Sequence, residues 1–588
     1  MSQTIFTDAQ LKVIRHAAGP LLVTAGPGSG KTTVLTHRLI TMIRDHKIDP
    51  EKILVITLTR AAAEEMRQRF FALMEDEKPQ ILIATFHAAF LGLLRQEHMK
   101  GSIITEEEAV EWIRAFLVEE EGFSNTEAAF IGERILHGIS AYRNIGAWKC
   151  AQEDVGLYSR TLQYYEETKR LRHRLDFDDL LILMLEKLTS EPSFCAQVQA
   201  RFRYILVDEA QDCNRIQYEI VRTICQESRN LMMVGDDDQS IYGFRGSSPE
   251  YMLRFAEDFP DTTRVDLSVN FRSRPCIVEA SRHLISHNVK RFQKDLTAAF
   301  PGHAEIRNES FPNARRQAGF LCSEIRSWHR LIPYDEIAVL CRTRRQFGII
   351  EQEFRTARIP YVAEAEEPLQ SDMEEDLRAY LELSIHPEHA DALYRIWNRP
   401  HRGIKEVYRV PQNERPAIEE VLRSHPRDPG LRLGLEELAF HLGRISCMAP
   451  ARAIQYIWYR MGYRSYRRDL QEQEWMPWSI VKDAYRMILK EAGCYQDIAA
   501  YVSRTPARYA DAVHLMTMHG AKGLEFDAVW IPDLNEGTLP FEKSLHDIEE
   551  ERRIFYVALT RARRFVSLLH IRSKKSGRYP SRFLRELQ

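Results

Sequence analysis

Three short segments carry residues whose types and spacing could do chemistry. The first is AGPGSGKTT at 25–33, where Gly26, Gly28 and Gly30 let backbone N–H groups curl around a phosphate. Lys31 reaches the outer phosphates and the Thr32 hydroxyl can ligate Mg²⁺. Ser29 and Thr33 complete a loop that opens onto a helix N-terminus, whose partial positive charge favours anions. The second, YILVDEAQD at 204–212, ejects Asp208 and Glu209 from the carboxyl end of an apolar run. There Asp208 can hold the cation through water, and Glu209 can orient and deprotonate an attacking water. Paired acids at a strand end also occur as plain solvated turns. The third, LMMVGDDDQSIYGFRG at 231–246, ends another apolar run in a polar cluster. In it Gln239 can hydrogen-bond a terminal phosphate or the water, or belong to a simple acidic loop. The chemistry these groups share is hydrolysis of a magnesium-bound nucleoside triphosphate.

The elements that must position these groups follow from hydrophobic periodicity. Residues 21–25 (LLVTA) read as a buried strand and 31–44 as an amphipathic helix, with a second strand at 53–58. Apolar runs ending in polar residues recur at 80–85, 204–207, 230–234 and 264–267, which is the pattern of a parallel α/β sheet. From 93 to about 200 helical periodicity takes over, with an acidic opening of eight Glu against one Arg over 101–130. Strands return at 336–341, 513–517 and 528–531, so a second α/β core is expected. The stretch 371–505 is again mainly helical, broken by Pro400, Pro411, Pro416 and Pro426. The expected fold is therefore α/β, with two parallel-sheet domains, each carrying a mainly helical inserted subdomain. The expected bounds are 1–92 with 201–268 for the first domain and 93–200 for its insertion. For the second they are 269–370 with 506–588, and 371–505 for its insertion. A chain of 588 residues is too long for one core, which agrees.

Composition excludes several classes. Lys plus Arg at 81 against Asp plus Glu at 84 gives 81 − 84 = −3, so a polyanion must be met by local patches. Residues 551–588, with eleven Lys or Arg against two Glu, form one candidate patch. The nine cysteines come no closer than the twelve-residue step from Cys213 to Cys225, which removes zinc and cluster signatures and predicts free thiols in a reducing compartment. The N-terminus lacks the basic flank and apolar core of a secretion signal. The longest uncharged stretch, sixteen residues at 79–94, falls short of the ~20 that span a bilayer, so a cytoplasmic chain without a membrane partner is expected.

The order of further segments narrows the reading. These are FTDAQ (6–10), TLTRAAAEEM (57–66), TFH (85–87), LSVNFRS (267–273), AVLCRT (338–343), TMHGAKGLEFD (517–527) and EEERRIFYVALTRAR (549–563). With the three above, the chain resembles the UvrD/Rep/PcrA branch of superfamily 1 helicases from Phe6 to Arg563. That resemblance implies two RecA-like motor domains, ATP and Mg²⁺ as cofactors, and DNA-stimulated ATP hydrolysis. The implied activity is 3′-to-5′ translocation on single-stranded DNA and unwinding at single-to-double-strand junctions, in a bacterial, nucleoid-associated setting. It makes Gln10 the adenine reader and Phe271 the ring that stacks on the base, with Arg38 nearby. Arg272 and Arg561 resemble the two arginine fingers, which suit a loose phosphoryl transition state. Glu525 resembles a ribose-side or coupling residue, and His519 the link between Gln239 and the strand-binding face. Candidate strand contacts are Phe86, Phe244, Arg245 and Arg342, with Thr59 and Thr85 on phosphates.

Departures from the family pattern carry their own expectations. Leu58 and Ala61 replace the usual aromatic and Lys, which weakens one stacking contact. After LTRAR the family forms a wedge hairpin; here 565–571 and 579–583 are joined by RSKKSGR, so a short wedge and unwinding weak relative to translocation are expected. The chain ends 588 − 561 = 27 residues after Arg561, which predicts no fused nuclease. The rival readings are an ATP-controlled clamp and the motor subunit of a nuclease or defence complex, the latter meeting a protein partner through the helical insertions.

Overall fold

The computed structural model describes residues 6–74, 79–96, 101–146, 154–302, 304–364, 369–400, 402, 429–474, 478–503, 511–541, 547–572 and 578–587. The chain divides into two compact units, Met1–Ile359 with Leu515–Gln588, and Pro360–His514.

Six strands of the first unit, β1 (Leu21–Ala25), β2 (Ile53–Thr57), β3 (Leu82–Thr85), β4 (Tyr204–Val207), β5 (Leu231–Gly235) and β6 (Thr263–Leu267), form one sheet. Their order is β3-β2-β4-β5-β1-β6, with every pairing parallel. LLVTA, ILVIT and LMMVG are buried at every position, as strands covered on both faces must be. Side chains alternate between faces: Leu22, Leu54 and Ile205 join a core with Phe90 and Leu180. Leu21, Val23, Val55 and Leu206 join another with Leu39 and Phe70 on the opposite face. Because the strands are parallel, Gly26, Thr59, Phe86, Asp208 and Asp236 all follow carboxyl ends on one edge of the sheet.

The second sheet contains β7 (Glu305–Phe311), β8 (Ile337–Cys341), β9 (Val513–Thr517), β10 (Phe526–Ile531) and β11 (Ala562–Ile571), in the order β7-β11-β10-β8-β9. The pairs β7 with β11, β10 with β11 and β8 with β10 are parallel. The helix Ile548–Leu559 is buried from Glu551 onward and supplies Phe555, Tyr556 and Val557 to this domain's core.

The wedge hairpin expected after Arg563 is not built from 565–571 and 579–583. Residues 565–571 lie inside β11, flanked by parallel strands on both sides, so their hydrogen bonds belong to the sheet. The Tyr579 carbonyl instead accepts from the Glu536 N–H at 3.1 Å, and the Ser581 N–H donates to the Leu534 carbonyl at 2.8 Å. Residues 573–577 lie outside the described ones.

Between β3 and β4 run the helices Glu106–Glu119, Asn125–Ile145, Val155–Leu171, Phe177–Ser190 and Pro192–Arg201. Capping boxes at Thr105, Ser124 and Asp176 start three of them. Ala109, Ile113, Phe116 and Leu117 form the helical stripe that closes a separate small core with Ile135 and Tyr158. The second unit is helical, with its own core of Leu377, Leu381, Leu435, Ile457 and Tyr501 among others. Within it the fully buried Asp376 is met by Tyr463 at 2.7 Å, Arg467 at 2.8 Å and Arg399 at 2.9 Å, the pairing a buried charge requires. Among the described residues no helix is long and apolar enough to cross a membrane.

Candidate functional site

The glycine loop is shaped by local stereochemistry. Gly28 and Gly30 take φ of 64° and 80°, a region closed to most side chains, and Gly30 precedes the first residue of the helix Lys31–Arg44. Ser29 Oγ donates to the Gly26 carbonyl at 2.8 Å and closes the turn. Gln10 braces the loop from the helix Asp8–Arg15. Its Oε1 accepts the Thr7 N–H at 2.9 Å and its Nε2 donates to the Ser29 carbonyl at 3.1 Å. Thr33 lies in the first turn of the helix Lys31–Arg44, where Thr36 Oγ1 donates to the Thr32 carbonyl at 2.8 Å. The Phe271 N–H donates to the Gly28 carbonyl at 2.8 Å, so the segment bearing Phe271 and Arg272 lies directly on the loop. The exposed Phe300 meets the Phe271 ring edge-on at 6.3 Å.

Arg38 is 3% exposed and meets the helix that carries Gln10. Its Nη1 donates to the carbonyls of Val13 and His16 at the end of the helix Asp8–Arg15, and burial pushes its pKa down to about 10. A buried guanidinium held by backbone acceptors fastens that helix; it offers no exposed charge to a nucleotide.

Asp208 and Glu209 leave β4 as a pair shifted in opposite directions. Burial, and then the Glu209 charge, push Asp208 up to about 7. Burial also pushes Glu209 up, but Lys31, Lys522, a Gln211 bond and Arg561 together hold it below its ordinary value. Glu209 is therefore a carboxylate at neutral pH, as a base must be. Its backbone is left-handed, φ 49°, a strain that a non-glycine residue bears when its surroundings fix it. Gln211 fixes it: its Nε2 donates to Glu209 Oε2 at 2.5 Å and to Asp212 Oδ2 at 3.2 Å, while its Oε1 accepts the Asp236 N–H at 3.0 Å.

The second domain reaches into this cluster through two segments. From the loop after β9, Lys522 Nζ donates to Asp212 and, at 2.8 Å, to the Gln239 carbonyl. From the end of the helix Ile548–Leu559 comes Arg561, 1% exposed, whose Nη2 donates to Gln239 Oε1 at 3.2 Å. Arg561 is also held by the carbonyls of Val557 and Leu524 at 2.9 and 3.1 Å. Burial and then the Arg272 charge lower it to about 9, because both disfavour the charged form. Arg272 Nε donates to Glu525 Oε2 at 2.5 Å, and Glu525 also accepts from Arg563 at 3.1 Å. Arg561 thus interacts electrostatically with Arg272 and Glu209, and Glu209 with Lys31, while Glu525 accepts from both Arg272 and Arg563.

A magnesium ion fits the donors at the loop. The Thr32 hydroxyl and Asp208 carboxylate offer only oxygen, the set a hard divalent cation prefers. The other buried acid group, Asp236, Asp237 and Asp238, is already filled by the ammonium of Lys294 at 2.5, 2.6 and 2.9 Å.

The expected strand contacts separate. Phe244 is 45% exposed and packs edge-on with His519 at 6.0 Å and with Tyr242 at 6.2 Å, while Lys522 lies 4.9 Å over the Tyr242 ring. This is an open aromatic face. Phe86 is 4% exposed in the core beside Phe90, so its ring has no face for a base, which corrects its reading as a platform. Arg342 is paired through both nitrogens with the buried Glu551, at 2.6 and 3.1 Å, so its charge is neutralised within the protein. Thr59 and Thr85 lie at the carboxyl edge and accept the N–H groups of Ala62 and Ala88 at 3.1 and 3.3 Å. The side chain of Arg245 lies outside the described ones. In the basic stretch 551–588, where Lys574 and Lys575 lie outside the described residues, five arginines are paired within the protein. Arg552 pairs with Glu586, Arg553 with Glu549, Arg563 with Glu336, Arg564 with Asp527 and Arg582 with Glu536.

Sequence reasoning missed Gln211, Arg563, Lys522 and Lys294. Lys522 sits inside a motif already quoted, TMHGAKGLEFD, and could have been found there; Lys294 carries no local signal.

A glycine loop with a pair of carboxylates on one side and two arginines on the other is the arrangement of a nucleoside-triphosphate hydrolase built on two α/β domains. The UvrD/REP helicase N-terminal domain family matches residues 6–260, and the UvrD-like helicase C-terminal domain family matches 265–410 and 486–572. The chain belongs to the UvrD/REP helicase family, and is an ATP-dependent helicase with two RecA-like domains. It is 30% identical to the ATP-dependent DNA helicase PcrA of Staphylococcus epidermidis, over 98% of this chain and 86% of that protein. It is also 30% identical to a probable DNA helicase II homolog of Rickettsia felis (98% and 95%) and 31% identical to PcrA of Leuconostoc citreum (99% and 84%).

Proposed function

We propose that this chain is a magnesium- and ATP-dependent DNA helicase that translocates 3′ to 5′ on single-stranded DNA. The observation that carries the reading is the loop between β9 and β10. One end of it carries His519, packed on Phe244. In the middle, Lys522 bonds Asp212 and the Gln239 carbonyl, and the Leu524 carbonyl accepts from Arg561. At the other end Glu525 accepts from Arg272. A base stacking on Phe244 displaces a loop whose other residues hold both fingers, so strand binding and hydrolysis are linked through a short covalent path.

Bound Mg²⁺-ATP would supply the phosphoryl group and a negative charge between the two α/β domains. The glycine loop, braced by Gln10, seats the phosphates, with Gln10 as the adenine reader and Phe271 placed to stack on the base. Asp208 and Thr32 would hold the cation. Glu209 takes the proton of the attacking water, and Gln239 orients that water. Arg272 and Arg561 neutralise the oxygens of the transferring group, an effect of about 10³-fold or more in rate. After hydrolysis the arginines lose their anion, the cleft relaxes, and alternating grip by the two domains advances the strand. Duplex or a protein partner would be met by the helical insertions.

The test is stopped-flow translocation on oligonucleotides of increasing length, fluorescently labelled at either end. The reading predicts a lag that grows with length when the label is at the 5′ end and no such lag at the 3′ end. A length-dependent lag at the 3′ end reverses the polarity. No lag at either end makes the chain an ATP-controlled clamp.

A further inference from the structure

Residues 288–294 leave the helix Pro275–Ile285 and deliver two cations to the turn after β5. Lys294 Nζ lies 2.5 Å from Asp236 Oδ1, 2.6 Å from Asp237 Oδ1 and 2.9 Å from Asp238 Oδ2. Arg291 holds both oxygens of Asp238 at 2.7 Å, and the Phe292 N–H donates to Asp237 Oδ2 at 2.8 Å. All three carboxylates are fully buried. Their charges sum to −3 against +2 from the two cations, so the cluster is stable only because both cations are inside it.

The contact does not end there. The second oxygen of Asp236 accepts from Gln239 Nε2 at 2.6 Å, and Gln239 Oε1 accepts from Arg561 Nη2 at 3.2 Å. A side-chain amide has one donating and one accepting end. With its nitrogen fixed on Asp236, the Gln239 oxygen has to face Arg561. The orientation therefore depends on Asp236 staying in place, and among the described residues Lys294 is the cation that bonds its carboxylate. Without the ammonium, three buried carboxylates would share Arg291 alone, and at least one would take a proton or turn away.

We propose that Lys294 is a positioning residue for hydrolysis: it anchors Asp236, which orients the Gln239 amide toward the arginine Arg561. This rests on the reading of Gln239 and Arg561 as catalytic groups. Lys294 touches neither nucleotide nor DNA in this account, so its removal should leave affinity for both unchanged and slow the chemical step.

The experiment compares wild-type protein with Lys294→Arg and with the charge-balanced double variant Lys294→Met/Asp237→Asn. The double variant removes one positive and one negative charge, so the cluster keeps its net −1 and the protein should fold. Steady-state ATPase at saturating single-stranded DNA, KM for ATP, DNA affinity and thermal melting are measured on each. The expected result is a drop in kcat of about tenfold or more in the double variant, with KM and DNA affinity within about twofold, and recovery of most of kcat in Lys294→Arg. A role confined to stability moves the melting temperature and leaves kcat per folded molecule alone, which overturns the proposal. So does failure of both variants to fold, which makes Lys294 a folding residue. Gln239→Ala and Arg561→Ala run alongside. If these keep wild-type kcat, the reading of the site has failed; if they lose it while the double variant keeps it, only the role of Lys294 has failed.

Discussion

Gly28→Ala isolates the contact between the glycine loop and the arginine segment. A Cβ at position 28 would lie 2.6 Å from Arg272 Cβ and 3.2 Å from both the Arg272 nitrogen and Asn270 Oδ1. None of these can yield easily, because Asn270 Oδ1 accepts the N–H groups of Arg272 and Ser273 at 2.8 Å and ties that backbone down. The φ of 64° adds about 1–2 kcal/mol for any residue with a Cβ, and loss of the Phe271 N–H bond to Gly28 adds about 0.5–1.5 kcal/mol. The local cost is therefore about 1.5–3.5 kcal/mol. Relieving a 2.6 Å contact to the usual carbon–carbon distance moves Arg272 by about 1 Å, and a misplacement of that size costs about 10²-fold in rate. DNA-stimulated ATPase at saturating ATP should fall by about that factor while the protein stays folded. Gly319→Ala is the control: Gly319 lies in the helix Ala314–Trp328 with open space around its Cβ, so alanine there should stabilise by about 0.5–1 kcal/mol and leave the rate unchanged. A Gly28→Ala enzyme within about threefold of wild-type kcat would show that Arg272 does not need its position against the loop.

Two further substitutions separate surface from core. Phe244→Ala should weaken single-stranded DNA binding by about 1–3 kcal/mol in fluorescence anisotropy with no loss of melting temperature, because its ring is nearly half exposed; unchanged affinity removes it as a platform. Phe86→Ala should do the opposite, lowering stability by about 3–5 kcal/mol in denaturant unfolding, with DNA affinity per folded molecule retained. A selective loss of DNA binding at Phe86 would restore it to the interface.

Legibility followed the strength of the local pattern. The strand Tyr204–Val207 and the helix Lys31–Arg44 have the bounds read from sequence, because an unbroken apolar run and a glycine stop each have a single physical solution. The edge strand Glu305–Phe311, EIRNESF, was invisible because it is mostly polar and only part-buried. The strand Ala562–Ile571 reads as extended in the sequence, but its partners Phe526–Ile531 and Glu305–Phe311 lie outside any local pattern that could name them. At the site, groups whose chemistry depends on the backbone, such as the loop glycines and the paired acids, were legible. Groups defined by a distant counter-charge were not. Arg38, Arg342 and Arg561 look alike in sequence, yet one fastens a helix end, one pairs with Glu551 and one faces Gln239. Lys294 gained its place only when folding brought it to Asp236.

The proposed function stands on Arg561 acting across the cleft on the nucleotide whose phosphates Lys31 reaches and whose attacking water Glu209 deprotonates. Arg561→Lys keeps the charge but loses the planar fork. Single-turnover hydrolysis at saturating ATP and single-stranded DNA, measured with nucleotide affinity on the folded variant, tests it most directly. The account predicts hydrolysis slowed by about 10³-fold with ATP affinity within about threefold of wild type. Hydrolysis within about threefold of wild type would place Arg561 outside the reaction and contradict it.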